Sequence, residues 1–265
     1  MKNTPTHNID VLKFKQNPYP DLKEMRAVNP ICFVPQVNAT MICDRESIYE
    51  CEKNTDVFSS VQPLGLMTIL MGQNMMRKDG KAHTEERKTI FKTISPKTSR
   101  DYWRYKFETI VDNIIEEIKE LKSGDLLTLY SKKLSAECLK LVTGLTNMTA
   151  TEMDRVSQGM IDGCSNYTGD SAIETYCNNC TESIDTHINE IVVEIKRNPD
   201  FSMISTMLEG KLSASQISAN IKLAISGGQN EPRDAIAGCI WAALNFGLKE
   251  HLLQKNNWNQ LFNEY

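Results

Sequence analysis

Apolar residues recur at three- and four-residue spacing through most of this chain, a period that predicts helices. The clearest run is "YWRYKFETIVDNIIEEIKELKSG", where Phe107, Ile110, Val111, Ile114, Ile115, Ile118 and Leu121 fall on one side and Gly124 supplies a stop, so a core helix is expected. Similar patterns predict helices within 125–145, 150–167, 171–200 and 200–210, and "YPDLKEMRAV" predicts a short one over 19–28. Only "ICFVPQVNATMICD" alternates in the manner of a hairpin. "DVFSSVQPLGLMTILMG" reads as a loop with a Met-rich tip, and "DGKAHTEERKTIFKTIS" as a charged amphipathic helix with Ile90, Phe91 and Ile94 on its apolar side. The expected fold is mainly α with a small β lobe at about 30–45, followed by helices over 46–265, in a single domain without internal repeats.

The longest periodic run starts at Ser213 and carries Ile217, Ile221, Ala224, Ile225, Ile236, Cys239, Ile240 and Leu244 on one face. It passes without a change of phase through "AISGGQNEPRDAI", which holds Gly227, Gly228 and Pro232. Pro232 has no N–H for the carbonyl of Gly228, so the helix must open or kink there. Two readings follow. Either the bare turn with Asn230 and Glu231 beside it forms a groove for a flat ligand and ordered water, or the glycines let another helix cross closely.

Composition narrows the function classes. The chain has 265 residues, 40% of them hydrophobic, enough for a sizeable core. A formal net charge of −4 with no basic block argues against nucleic acid as a partner. No apolar run suits a signal peptide or a membrane anchor, so the expected address is cytoplasmic. Eight scattered cysteines show no disulfide or metal framework, and Cys177 and Cys180, a lone C-x-x-C, read as a helical pair without a ligand. No metal ligands are assigned.

His83 and Arg87 lie four apart and share a helix face. They read either as part of a solvated face with glutamate partners or as two donors for a pair of carboxylates.

Taken in order, "NTDVFSSVQP", "DGKAHTEERKTIFKTISP", "DFSMISTMLEGKLSASQISANIKLAISGGQNEPRDAI" and "GLKEHLLQKNNWNQL" resemble successive segments of the cytochrome P-450 family of heme-thiolate monooxygenases, and most of all its soluble, bacterial-type members. The resemblance runs from about Asn17 onward and implies the N-terminal two-thirds of a helical prism. It implies that His83 and Arg87 bind the heme propionates, and that Gly227 and Gly228 let the long helix pass over the heme face. Catalytic proton delivery falls to Glu231 and Asn230. Aligned on the glycines, Asn230 stands where the family has an acid and Glu231 where it has an alcohol; aligned on the acid, Glu231 fits and Pro232 replaces the alcohol, so either way the hydroxyl is missing.

The family's E-x-x-R helix and the F-x-x-G-x-x-x-C-x-G loop with the axial cysteine are absent, and would fall beyond Tyr265. Thiolate ligation is what favours O–O cleavage, so this stretch is expected to be inactive alone. The resemblance therefore implies a fragment of a monooxygenase that inserts one atom of O2 into a small apolar or amphipathic substrate, with heme b as cofactor and a ferredoxin-like or flavin protein as electron donor. The alternative is a short, inactive helical protein that binds a ligand or a partner.

Overall fold

The computed structural model describes residues 4–247. Most of the "GLKEHLLQKNNWNQL" segment and the end of the long periodic run lie outside the described residues. The chain divides into two compact units, one of residues 1–62 with 78–80, the other of 63–77 with 81–265.

The first unit holds α1 (Val11–Gln16), α2 (Tyr19–Val28), β1 (Ile31–Val34), β2 (Ala39–Ile42) and α3 (Arg45–Lys53). Asp10 starts α1 by accepting the backbone N–H groups of Leu12 and Lys13. The two strands pair antiparallel with Ile31 opposite Ile42, and a short 3-10 turn closes the hairpin at Asn38, whose φ of 48° suits an asparagine. Cys32 and Val34 point inward from β1 and, with Ile9 and Met25, make this unit's small core.

The second unit is helical among its described residues. It contains α4 (Leu66–Met71), a 3-10 turn (Met75–Arg77), α5 (Gly80–Ile94), the short α6 (Pro96–Thr98) leading into a π-turn, and α7 (Arg104–Ile118). A second π-turn (Leu127–Ser131) enters α8 (Lys132–Thr143), followed by α9 (Ala150–Cys164), α10 (Ser171–Arg197), α11 (Met203–Glu209), α12 (Ala214–Gly228) and α13 (Asn230–Asn245). Its core is methionine- and isoleucine-rich: Met148, Met153, Met160, Ile184, Ile204, Met207 and Ile221 are all essentially inaccessible. Met side chains fill irregular gaps between crossing helices, which suits a core built by many elements meeting at one place.

Two sequence expectations change. The Met-rich tip is a helix, α4, whose Leu70 and Met71 are buried against the core while Ile69 faces out. The predicted core helix lies at the surface: α7 buries Ile114 alone and leaves Ile115 45% exposed. Its apolar stripe is real, but the described residues do not cover its full width.

The C-x-x-C is explained by packing. Cys177 and Cys180 are buried on α10 where it crosses α9, and burial pushes the Cys177 thiol up to about 11 and that of Cys180 in the same direction. Neither is poised as a thiolate. No described helix is long and apolar enough to cross a membrane.

Candidate functional site

The long helix is broken at Gln229, which separates α12 from α13. Pro232 removes the donor that the Gly228 carbonyl needs, as the sequence requires. A donor from α8 reaches the next carbonyl, that of Gln229, which also accepts the Arg233 N–H at 3.3 Å. The Ser135 hydroxyl donates to the Gln229 carbonyl at 2.7 Å, with the Gly228 carbonyl at 3.5 Å from the same oxygen. One turn earlier, Ser157 on α9 donates to the Ile225 carbonyl at 3.1 Å. The Gln229 side chain in turn donates to the Lys132 carbonyl (3.2 Å) and to Asp154 (3.1 Å), and Asp154 also faces Lys132 Nζ at 3.1 Å and Arg233 at 3.6 Å. The break is thus a fixed bend, tied to α8 and α9 on its inner side. Ser135→Ala should destabilise the protein by about 1 kcal/mol, since the Gln229 carbonyl loses a buried donor; comparison of unfolding midpoints checks it.

The two glycines do different things. A Cβ on Gly228 would come within 2.8 Å of Leu139 Cδ1, so Gly228 permits close approach of α8. Gly227 is exposed, and among the described residues a Cβ there would meet only Glu231 Oε1, at 3.9 Å. The close-crossing reading holds for Gly228, while Gly227 stands on an open face. Gly227 and Glu231 leave one bare, open face, while Gly228 and Pro232 line a groove of about 440 Å³ on the side of α7 and α8, with Phe107, Leu134, Cys138 and Ile236. Burial there pushes the Cys138 thiol up to about 12.

Asn230 and Glu231 part company. Asn230 is buried, with its side-chain oxygen unpaired among the described residues, whereas Glu231 is exposed at the bare face.

His83 and Arg87 line one shallow hollow of about 240 Å³ on α5, with Thr84, Lys88 and Phe91. Neither forms an ion pair among the described residues; Lys81 and Glu85 pair with each other instead, at 3.6 Å. His83 and Arg87 thus share one hollow and have no glutamate partner among the described residues. Both belong to the same unit as Gly227 and Glu231. Glu86, in the sequence one more charge on a charged helix, is turned inward and only 3% exposed.

A heme would need donors for its two carboxylates and an axial ligand for its iron. The described residues fit the carboxylate edge through His83 and Arg87, and not the iron. Cys239, exposed on α13, lies outside any ligand loop, and no cluster of three or more metal-binding side chains occurs among the described residues.

No protein-family model matches the sequence. Solved structures do match. P450BioI, in complex with a hexadec-9Z-enoic acid-ligated acyl carrier protein, superposes with a TM-score of 0.76 at 18% identity, over 93% of this chain and 66% of that one. The chain has a partial cytochrome P450 fold. Mycobacterium marinum CYP268A2, in complex with pseudoionone, gives a TM-score of 0.79 at 16% identity, over 97% of this chain and 69% of that one. CYP109E1 from Bacillus megaterium, in complex with testosterone, gives 0.69 at 18% identity, over 91% and 63%. The P450-like chain thus spans about two-thirds of the length of these structures, with its mainly helical body and two-stranded sheet.

Proposed function

We propose that this chain is the N-terminal part of a heme-dependent monooxygenase, one incomplete P450-like domain whose whole protein inserts an oxygen atom from O2 into a small organic molecule. The partial cytochrome P450 fold carries the reading. Heme bound through a cysteine thiolate supplies the oxygen chemistry in such enzymes. His83 and Arg87 donate to its propionates, a role supported by their sharing one hollow with no ion-pair partner among the described residues. Gly227 keeps the α12 face bare beside the heme, and Gly228 brings the helix close to α8. Glu231, exposed at the bare face, is the group there able to hold or pass a proton. Asn230, the notional acid position, is buried beside it. The ligands named for the matched structures, a fatty acyl chain, a steroid and pseudoionone, agree with an apolar or amphipathic substrate. The electron donor is a ferredoxin-like or flavin protein, and the address is cytoplasmic.

A second reading, a short helical protein that binds an apolar ligand or partner, is favoured by one observation, the apolar groove between α7, α8 and α13.

Sequencing and expressing the reading frame past the codon for Tyr265 tests both. An E-x-x-R helix, a cysteine loop and a ferrous–CO spectrum of thiolate-bound heme are expected. A native protein that stops at Tyr265 and purifies without heme would overturn the oxygenase reading in favour of the second.

A further inference from the structure

Glu86 sits on the inner side of α5, 3% exposed. Its two carboxylate oxygens are held by two amides one turn apart on α12: Gln216 Nε2 donates to Oε1 at 2.5 Å and Asn220 Nδ2 to Oε2 at 3.0 Å. Asn220 is itself inaccessible, and its Oδ1 accepts the Met75 backbone N–H at 2.9 Å. A buried carboxylate is a costly way to pack two helices, and an apolar residue of similar volume would serve stability as well or better. What the carboxylate adds is register. Two oxygens gripped by donors at i and i+4 of a neighbouring helix fix both the rotation of α5 about its axis and its position along α12.

That register bears on the candidate site. Along α12, Gln216, Asn220 and Gly227 fall within about 40° of one another on the helical wheel at 100° per residue, so α5 is latched to the same face that is bare at Gly227. The direction of the crossing is fixed too. Thr93 meets Thr206 through their hydroxyls at 3.0 Å, Thr89 packs against Gly210, and Glu86 reaches Gln216 and Asn220. Moving back along α5 therefore moves forward along α11 and α12, toward Gly227. His83, one turn before Glu86, and Arg87, its neighbour, are carried on the leading shoulder of that crossing.

We infer that Glu86 is a positioning residue: its latch onto Gln216 and Asn220 sets the bearing of the His83–Arg87 hollow relative to the bare Gly227–Glu231 face. The inference rests on the heme reading, with the propionates as the ligand of that hollow.

Glu86→Gln tests it, because an amide offers one acceptor and one donor where both α12 groups are donors, leaving two N–H groups opposed. Adding Gln216→Glu restores both pairings with α12. Gln at 86 then donates to Glu at 216 and accepts from Asn220, and the acid at 216 still accepts the Ser213 N–H that Gln216 Oε1 now takes at 3.0 Å, so the α12 capping box survives. Two readouts are taken on the full chain: amide hydrogen exchange across 80–94, and the ratio of affinities for hemin and for hemin dimethyl ester, which lacks the carboxylates.

The single variant should speed exchange in α5 and lower the hemin-over-ester preference about tenfold, the loss expected when a buried hydrogen-bonding group is left opposed. The double variant should restore both. Retention of the wild-type preference in a folded Glu86→Gln chain overturns the positioning role, as does failure of the double variant to recover it while exchange recovers. Absence of any preference in the wild type overturns the heme reading and removes this role with it; the exchange data then show whether the latch itself exists.

Discussion

Gly159→Ala combined with Gly163→Ala is expected to be among the most destabilising small changes in the chain, costing about 2–5 kcal/mol by overpacking. Both glycines face α10 from α9. A methyl on Gly159 would fall 2.4 Å from Cys180 Sγ and 3.0 Å from the Tyr176 ring, and one on Gly163 would fall 2.5 Å from Cys177 Sγ and 2.7 Å from its Cβ. A sulfur at the end of a side chain can swing away, but the Cys177 Cβ is fixed to the α10 backbone, so the helices must separate there. Separation is resisted because this crossing is the centre of the core: Met153, Val156 and Met160 on α9 and Ile184 and Ile188 on α10 all pack into it. The two costs share one interface and will not add independently. Chemical unfolding of the single and double variants measures the effect. Cys177→Gly, which removes the obstructing Cβ, should recover much of the loss caused by Gly163→Ala, and a midpoint left unchanged by either alanine would refute the packing account.

That crossing also shows what the sequence could and could not convey. The helices themselves are legible from their apolar period. So is the placing of Cys177 and Cys180 together on one helix. Their partner is not legible. Gly159 and Gly163 lie on another helix, and which helix meets which is decided by tertiary packing, not by local period.

The interrupted helix repeats the lesson at closer range. The break at Gln229 follows directly from Pro232, because proline's missing N–H acts four residues back on its own helix. The division of labour between Gly227 and Gly228 does not, for it depends on Leu139 standing against one and only the tip of Glu231 near the other. Ser135, which ties the bend to α8, is an ordinary helical serine until the fold brings it to the Gln229 carbonyl. Glu86 is the sharpest case. In a run of charges on an amphipathic helix it has no local mark to set it apart from Glu85, yet one is exposed and paired with Lys81 while the other is buried against α12. The α7 stripe misleads in the opposite sense: its period is genuine, but periodicity reports a face that seeks a partner, and the described residues cover only Ile114 fully.

Replacing His83 and Arg87 together by alanine should weaken hemin binding by about 10- to 100-fold while leaving the dimethyl ester unaffected. The magnitude follows from two hydrogen bonds to ionised carboxylates, each worth about 1 kcal/mol after solvent screening at a partly exposed site and more once the heme excludes water. The direction follows from the geometry. No carboxylate lines the hollow among the described residues, and the nearby acids are engaged elsewhere, Glu85 by Lys81 and Glu86 by the amides of α12. Neither side chain contributes a buried apolar surface or a structural hydrogen bond among the described residues, so the double variant should unfold at nearly the wild-type midpoint. Titration of heme absorbance with each ligand separates the possible outcomes. Equal weakening of acid and ester would mean that the substitutions disturb the α5 fold and not a carboxylate contact. Unchanged hemin affinity would remove the propionate role from this pair and leave the hollow as a solvated face of α5. Selective loss for the free acid, with the ester as control, ties the affinity to charge-assisted donation by these two residues, because the two ligands differ only in their carboxylates.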